Sequence, residues 1–265
     1  MNSYTVKREK LEKGEMALYD FGAMKLYAYK TNDPIDNEVF LVAKDGRAVV
    51  IESPCFFENN SELTRYMERE GLAAEGILLA YHMAGAGFLP GVRRYATKNA
   101  DEYGHHGGGR ALIDQFAGSF GAGFDSSIHT VTDFIEPGPL TIAGIDFVIT
   151  GTDEAFDIAI PGINAVYTHM LGHDCHSIVA GAAHADAMIA QLEGYLAQGC
   201  TLILSSHYTP EDLKDVRVKI DYLRDLKEIA SRCCDGAQFR QAVAQRYPDY
   251  TGGNYLDMTA GFFFG

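Results

Sequence analysis

The chain has 265 residues, 47% hydrophobic and 22% charged, with a formal net charge of −14 at pH 7. This suits one domain over residues 1–265 with a core of its own, and the acidity excludes nucleic acid as a partner class. No apolar run is long enough to span a membrane, no apolar stretch follows the charged Lys7, Arg8, Glu9 and Lys10 as in a leader, and the five cysteines form neither a disulfide framework nor a CxxC pair, so a cytoplasmic protein with free thiols is expected.

Residues 17–30 and 39–52 alternate apolar and polar positions or run apolar with β-branched side chains, the pattern of paired strands. Asn60 is the expected N-cap of a helix through Glu70, with Gly71 at its stop. Residues 76–81 and 92–97 follow as short strands. Residues 99–127 hold Gly104, Gly107, Gly108, Gly109, Gly118, Gly121 and Gly123, and read as a mobile flap with a helix from Arg110 to Phe120. Strands return at 132–135, 140–150, 157–160 and 165–169. A helix over 183–198, a strand over 201–205 and a helix over 211–232 come next, the last with Val216, Ile220, Leu223, Leu226 and Ala230 on one face. A final helix begins after Asp235, and Phe262, Phe263 and Phe264 are expected in the core. Strands followed by helices, twice over, imply an α+β fold with two packed sheets and helices outside.

Three stretches carry a family resemblance. Asn37-Glu38-Val39-Phe40-Leu41-Val42 leads to Ala48-Val49-Val50-Ile51-Glu52-Ser53-Pro54; Ile77-Leu78-Leu79-Ala80-Tyr81-His82 leads to Met83-Ala84-Gly85; and Leu202-Ile203-Leu204-Ser205-Ser206-His207 closes a strand. Together with the element order they resemble the metallo-β-lactamase superfamily. The resemblance implies a four-layer αββα sandwich whose site is built from loops at one rim. The departures are large. The family's first strands usually end in Asp-Thr-Gly, and its His-x-His-x-Asp-His motif is reduced here to His82. Gly151-Thr152-Asp153-Glu154 stands where a histidine is usual, and Tyr167-Thr168-His169-Met170 where the bridging aspartate is usual. Only His207 carries over directly, so the family's two-metal mechanism does not transfer.

On that fold, the rim would present His82, His169 and His207 with Asp153 and Glu154. Three imidazoles with an open position suit one divalent ion, zinc before others, as a Lewis acid and water source. Asp153 or Glu154 would be base or fourth ligand, and Tyr81 a proton donor. The alternative is a metal-free set of polar residues at strand ends. The segment from His169 to His176 is rich in ligand types: Asp174 is a further candidate ligand, and His173 and His176 candidate substrate contacts. His105, His106 and Arg110 in the glycine-rich stretch suit an anion-binding lid. Cys175 as a nucleophile, and Ser205 or Ser206 in a hydrolase triad, lack any supporting motif. Two functions follow: a metal-dependent hydrolase of a small ester, lactone, amide or related anion, or a non-catalytic relative that binds a ligand or partner. Neither involves a membrane, and a homodimer is left open.

Overall fold

The computed structural model describes residues 3–170 and 172–265. Leu171, within the ligand-rich segment, lies outside the described residues. Two compact units divide the chain: Met1–His169 with Leu204–Thr209, and Met170–Ile203 with Pro210–Gly265.

The first unit opens with an antiparallel meander of β1 (Thr5–Lys10), β2 (Glu15–Asp20), β3 (Lys25–Lys30), β4 (Glu38–Lys44) and β5 (Arg47–Ile51). After α1 (Phe57–Glu70), strands β6 (Ala73–Leu78), β7 (Arg94–Ala96) and β8 (Asp133–Phe134) add in parallel, completing an eight-stranded sheet in sequence order. The strand sequences explain the order. Charged Thr5–Lys10 is exposed and guards the edge, whereas the apolar runs of β4 and β5 are buried on both faces. The second sheet runs β9 (Gly138–Ile142), β10 (Ile145–Gly151), β11 (Phe156–Ile160), β12 (Ala165–Tyr167), β13 (Leu202–Ser205) and β14 (Tyr208–Glu211) in spatial order. In β10 the side chains alternate buried and exposed, the mark of one covered face. Within this unit the two sheets meet face to face. Phe40 of β4 packs edge-on against Tyr167 of β12 at 6.1 Å, and a Cβ at Gly76 of β6 would lie 3.4 Å from Ile142 Cγ2 of β9.

Several elements differ from the sequence reading. The expected single strand over 140–150 is a hairpin, because Ala143 and Gly144 both take positive φ, 56° and 74°, as a two-residue turn requires. Asn60 is not a cap. Helix α1 begins at Phe57 without a side-chain cap, and Asn60 is buried in its first turns with its amide toward Asp125. The glycine-rich segment folds as α2 (Lys98–His105) and α3 (Gly108–Phe120), with Thr97 capping the Ala100 N–H. Its glycines allow close packing. The Tyr103 ring lies where a Cβ at Gly109 would be 2.9 Å away, and Gly104 seats directly on Met83, 2.1 Å from where its Cβ would stand.

In the second unit, α4 (Ala182–Gln198) packs with α5 (Leu213–Ala230), and α6 (Gly236–Arg246) with α7 (Gly253–Phe264). Asp212 and Asp215 form a capping box at the start of α5. The one expected C-terminal helix is two, separated by a turn with Gly252 at φ 76°. Phe263 and Phe264 pack on Phe239, but Phe262 is 55% exposed, so the aromatic run is only partly in the core. No helix among the described residues is long and apolar enough to cross a membrane.

Helix α1 is fastened to the meander by one carboxylate. Glu62 accepts from the backbone N–H of Lys13 and Gly14, both at 2.8 Å, and from the Tyr29 hydroxyl at 2.7 Å. Removing it strands buried donors, each costing about 1–3 kcal/mol. Glu62→Ala is therefore expected to lower stability by about 2–4 kcal/mol in urea unfolding, with Glu62→Gln costing less because one amide oxygen still accepts.

Candidate metal centre

Beyond β5 the backbone turns through Glu52 in the left-handed region, at φ 63°, and buries its carboxylate completely. The carboxylate accepts the N–H of Tyr81 at 2.8 Å and of His82 at 3.0 Å, and the Tyr167 hydroxyl at 2.6 Å. Burial pushes its pKa up to about 7, against the lowering effect of these hydrogen bonds. One buried group thus fixes the loop after β6 and the end of β12.

The loop after β6 has a second fastening. Arg94 Nε donates to His129 Nδ1 at 2.8 Å, His129 Nε2 lies 2.9 Å from Ser53 Oγ, and Ser53 Oγ donates to the Ala84 carbonyl at 2.9 Å. Because arginine only donates, His129 Nδ1 is the acceptor and Nε2 carries the proton. The ring therefore donates to Ser53 and cannot take its proton, so this Ser–His pair is a clamp and not a nucleophile. Gly85, at φ 89°, lets the loop pass so close that a Cβ would stand 2.2 Å from the Pro54 carbonyl oxygen. Asp125 completes the anchor, accepting the Gly87 N–H at 2.9 Å.

These constraints bring together three histidines from three loops of the first unit. His82 follows β6, His169 follows β12 and His207 follows β13. One ring nitrogen from each lies within 4.8 Å of the others, and the Nε2 atoms of His82 and His169 are 3.4 Å apart. His207 Nδ1 points to the Ile35 carbonyl oxygen at 3.1 Å, which assigns its proton to Nδ1 and leaves the Nε2 lone pair to the cluster. The Tyr81 ring stacks on His169 with centroids 4.5 Å apart and planes 18° from parallel. His169 reaches solvent and the other two rings are half-buried. Surrounding protein still strips enough water to disfavour the imidazolium forms. His82 is held well below its ordinary pKa and His207 below it, both first by burial. His169 is lowered to about 3 by burial and then by His207.

The donor set fits a divalent ion. The three imidazoles are neutral near pH 7, and one nitrogen of each lies within 4.8 Å of the others. His82 Nδ1 is buried with no hydrogen-bond partner among the described residues. A tetrahedral ion bound at about 2.0–2.1 Å separates ligand nitrogens by about 3.3–3.4 Å, the spacing already held by His82 and His169.

The other residues singled out from the sequence lie elsewhere. Asp153 and Glu154 are exposed in the turn between β10 and β11. The carboxylate that meets Tyr81 is Asp157 of β11, 3.3 Å from the hydroxyl. His105 pairs with Asp101 and Arg110 with Asp114, each one turn away on its own helix, and His106 ends α2. Asp174 is exposed in the second unit. His173 pairs there with Glu211, and His176 is buried with Nδ1 at 3.0 Å from the Tyr222 hydroxyl. Cys175 is buried and directs its thiol to the His176 carbonyl; Ser206 is buried against the Tyr167 hydroxyl. Sequence reasoning missed Glu52, although it stands where the resemblance places an aspartate. It missed Asp157 because nothing in a strand sequence marks one inward carboxylate.

The neutral state of His129, lowered to about 3 by burial and by Arg94, has a consequence for stability. In the unfolded chain the ring protonates below about 6.5, so its contribution is complete above that pH and is lost as pH falls toward 3. His129→Gln is expected to remove this component. The stability gap between wild type and variant should narrow on acidification from pH 6.5, by up to about 1.4 kcal/mol per pH unit, in urea titrations at stepped pH.

No protein-family model and no curated protein matches the chain. Solved structures do. A sec-alkylsulfatase from Pseudomonas sp. superposes with a TM-score of 0.65 at 15% identity, covering 90% of this chain and 48% of its own, so this chain spans about half the sulfatase's length. A metallo-β-lactamase family protein from Thermus thermophilus superposes with a TM-score of 0.62 at 12% identity, covering 91% of each chain. A metallo-β-lactamase from Erythrobacter litoralis gives a TM-score of 0.56 at 13% identity, with 83% of this chain and 100% of the other covered. With two sheets, flanking helical segments and these superpositions, the chain has the metallo-β-lactamase fold.

Proposed function

We propose that this protein is a metal-dependent hydrolase working with a single ion held by His82, His169 and His207. The observation that carries the reading is the convergence of three neutral imidazoles from three separate loops of a fold whose named neighbours include metallo-β-lactamases. An ion in that position would supply Lewis acidity and a bound water of lowered pKa.

The chain's own residues provide the rest. Glu52 holds the backbone of Tyr81 and His82, and Tyr81 in turn orients the His169 ring by stacking. Burial and the neighbouring Asp157 carboxylate raise the Tyr81 pKa, so its hydroxyl keeps its proton and acts as a donor, not a base. That hydroxyl donates to Asp157 Oδ1 at 3.3 Å, and a substrate oxygen bound beside the stacked His169 ring would take over the same proton. A small ester, lactone, amide or sulfate ester fits this set of groups.

The test is metal content by plasma mass spectrometry on untagged protein grown with trace zinc, manganese and iron. His207→Ala should contain one equivalent less than wild type and lose at least about 100-fold in hydrolysis of whichever panel ester, lactone or sulfate ester the wild type cleaves. Equal metal content in the two proteins would sink the proposal and favour a ligand-binding relative without catalysis. Tyr81→Phe keeps the stacking ring, so it should retain the metal while kcat falls about 10–100-fold.

A further inference from the structure

The turn between β10 and β11 is tied from within and from outside. Thr152 and Ala155 close it on each other: the Thr152 N–H donates to the Ala155 carbonyl at 3.0 Å, and the Ala155 N–H donates to Thr152 Oγ1 at 2.9 Å. From outside, Asn99 near the start of α2 donates its Nδ2 to the Thr152 carbonyl at 3.3 Å. The Thr152 side chain also hydrogen-bonds the Tyr81 hydroxyl, which in turn lies 3.3 Å from Asp157 Oδ1. All of these residues belong to the first unit.

The direction of each bond follows from which atoms carry protons. A backbone N–H only donates, so Thr152 Oγ1 accepts from Ala155 and has its own proton left to give. An ionised carboxylate only accepts, so the Tyr81 proton goes to Asp157 and the phenolic oxygen accepts from Thr152. The result is a one-way chain from the Ala155 N–H through Thr152 and Tyr81 to Asp157. Each bond in such a chain polarises the next, so the proton given to the phenolic oxygen makes its own O–H a better donor. The chain also fixes a position. His169 holds the face of the Tyr81 ring by stacking, with centroids 4.5 Å apart, and Thr152 holds the far end of the same ring.

We propose that Thr152 is a positioning residue for hydrolysis, its hydroxyl donating to the Tyr81 oxygen so that the phenolic O–H is aimed and polarised toward its acceptor. The inference rests on the single-ion reading above. When a substrate oxygen replaces Asp157 as that acceptor, the Thr152 bond stays in place, and the hydroxyl gains a new partner without losing its support. Helix α2 enters the site at two points. Asn99 steadies the turn that carries Thr152, and Gly104 of the same helix seats on Met83 beside His82.

The experiment compares Thr152→Val and Thr152→Ser, each with and without Tyr81→Phe, in the full chain. It reads metal content and steady-state hydrolysis of the panel substrate that the wild type cleaves. Thr152→Val should keep the metal, hold KM within about 2-fold and lose kcat about 5–10-fold, the size of one hydrogen bond. Thr152→Ser, which keeps the hydroxyl, should recover most of that loss. In the Tyr81→Phe background the Thr152→Val loss should vanish, because the oxygen it acts on is gone. Unchanged kcat in Thr152→Val, or an equal loss with and without the Tyr81 oxygen, overturns the proposal. If Thr152→Val does not fold, Asn99→Ala takes its place. A smaller loss of kcat, confined to chains that keep the Tyr81 oxygen, supports the proposal, and no loss or an equal loss in both backgrounds overturns it. A wild type with neither metal nor hydrolysis would remove the single-ion reading, and the ¹³Cζ resonance of Tyr81 then decides for Thr152. A shift in Thr152→Val that Thr152→Ser reverses upholds the placement of the hydroxyl, and no shift overturns it.

Discussion

The buried Glu52 carboxylate is the constraint on which the rest of the first unit depends. It sits at the end of a central strand in a left-handed backbone conformation, accepts from the loop that carries His82, and accepts from Tyr167 just before His169. An unpaired charge at such depth would be costly, so its hydrogen bonds and the pKa of about 7 are two sides of one compromise. Two of the three clustered histidines inherit their positions from it. The third, His207, is oriented by the Ile35 carbonyl, and the adjacent Ser206 carbonyl accepts the Glu38 N–H at 2.6 Å.

Proton placement separates the polar groups that hold the structure from those that offer chemistry. Arg94 forces His129 to be an acceptor on one side and a donor on the other, so a serine–histidine contact at 2.9 Å is spent on the loop. At the trio the reverse holds. His207 has its Nδ1 engaged by a carbonyl, while one ring nitrogen from each of the three histidines lies within 4.8 Å of the others. Contact distance alone would not distinguish these two arrangements; the identity of the partner on the far nitrogen does.

The glycine-rich segment shows how composition can mislead about order. Seven glycines suggested a loose flap, yet Gly104 and Gly109 serve close packing of α2 and α3 on Met83 and Tyr103. A missing Cβ permits a tight approach as readily as it permits freedom. Met83 adjoins His82, so these helices brace the same loop that Glu52 and Ser53 hold.

By itself the sequence determined the element order, the acidic surface, the central apolar strands and the identity of three loops that end in histidine. Those features are periodic or local, written by alternation of apolar residues and by single residues after strand ends. The hairpin at Ala143–Gly144 reads as one strand in the sequence, since only the backbone shows that both residues take positive φ. Tertiary structure alone decided that Asp157, and not Asp153 or Glu154, meets Tyr81, because strand register selects which carboxylate points inward. It alone placed His173 beside Glu211 and Asp215, residues some 40 positions away whose pairing no spacing rule encodes. It alone gave Glu52 its role, because a carboxylate acquires a function from the donors that folding brings to it.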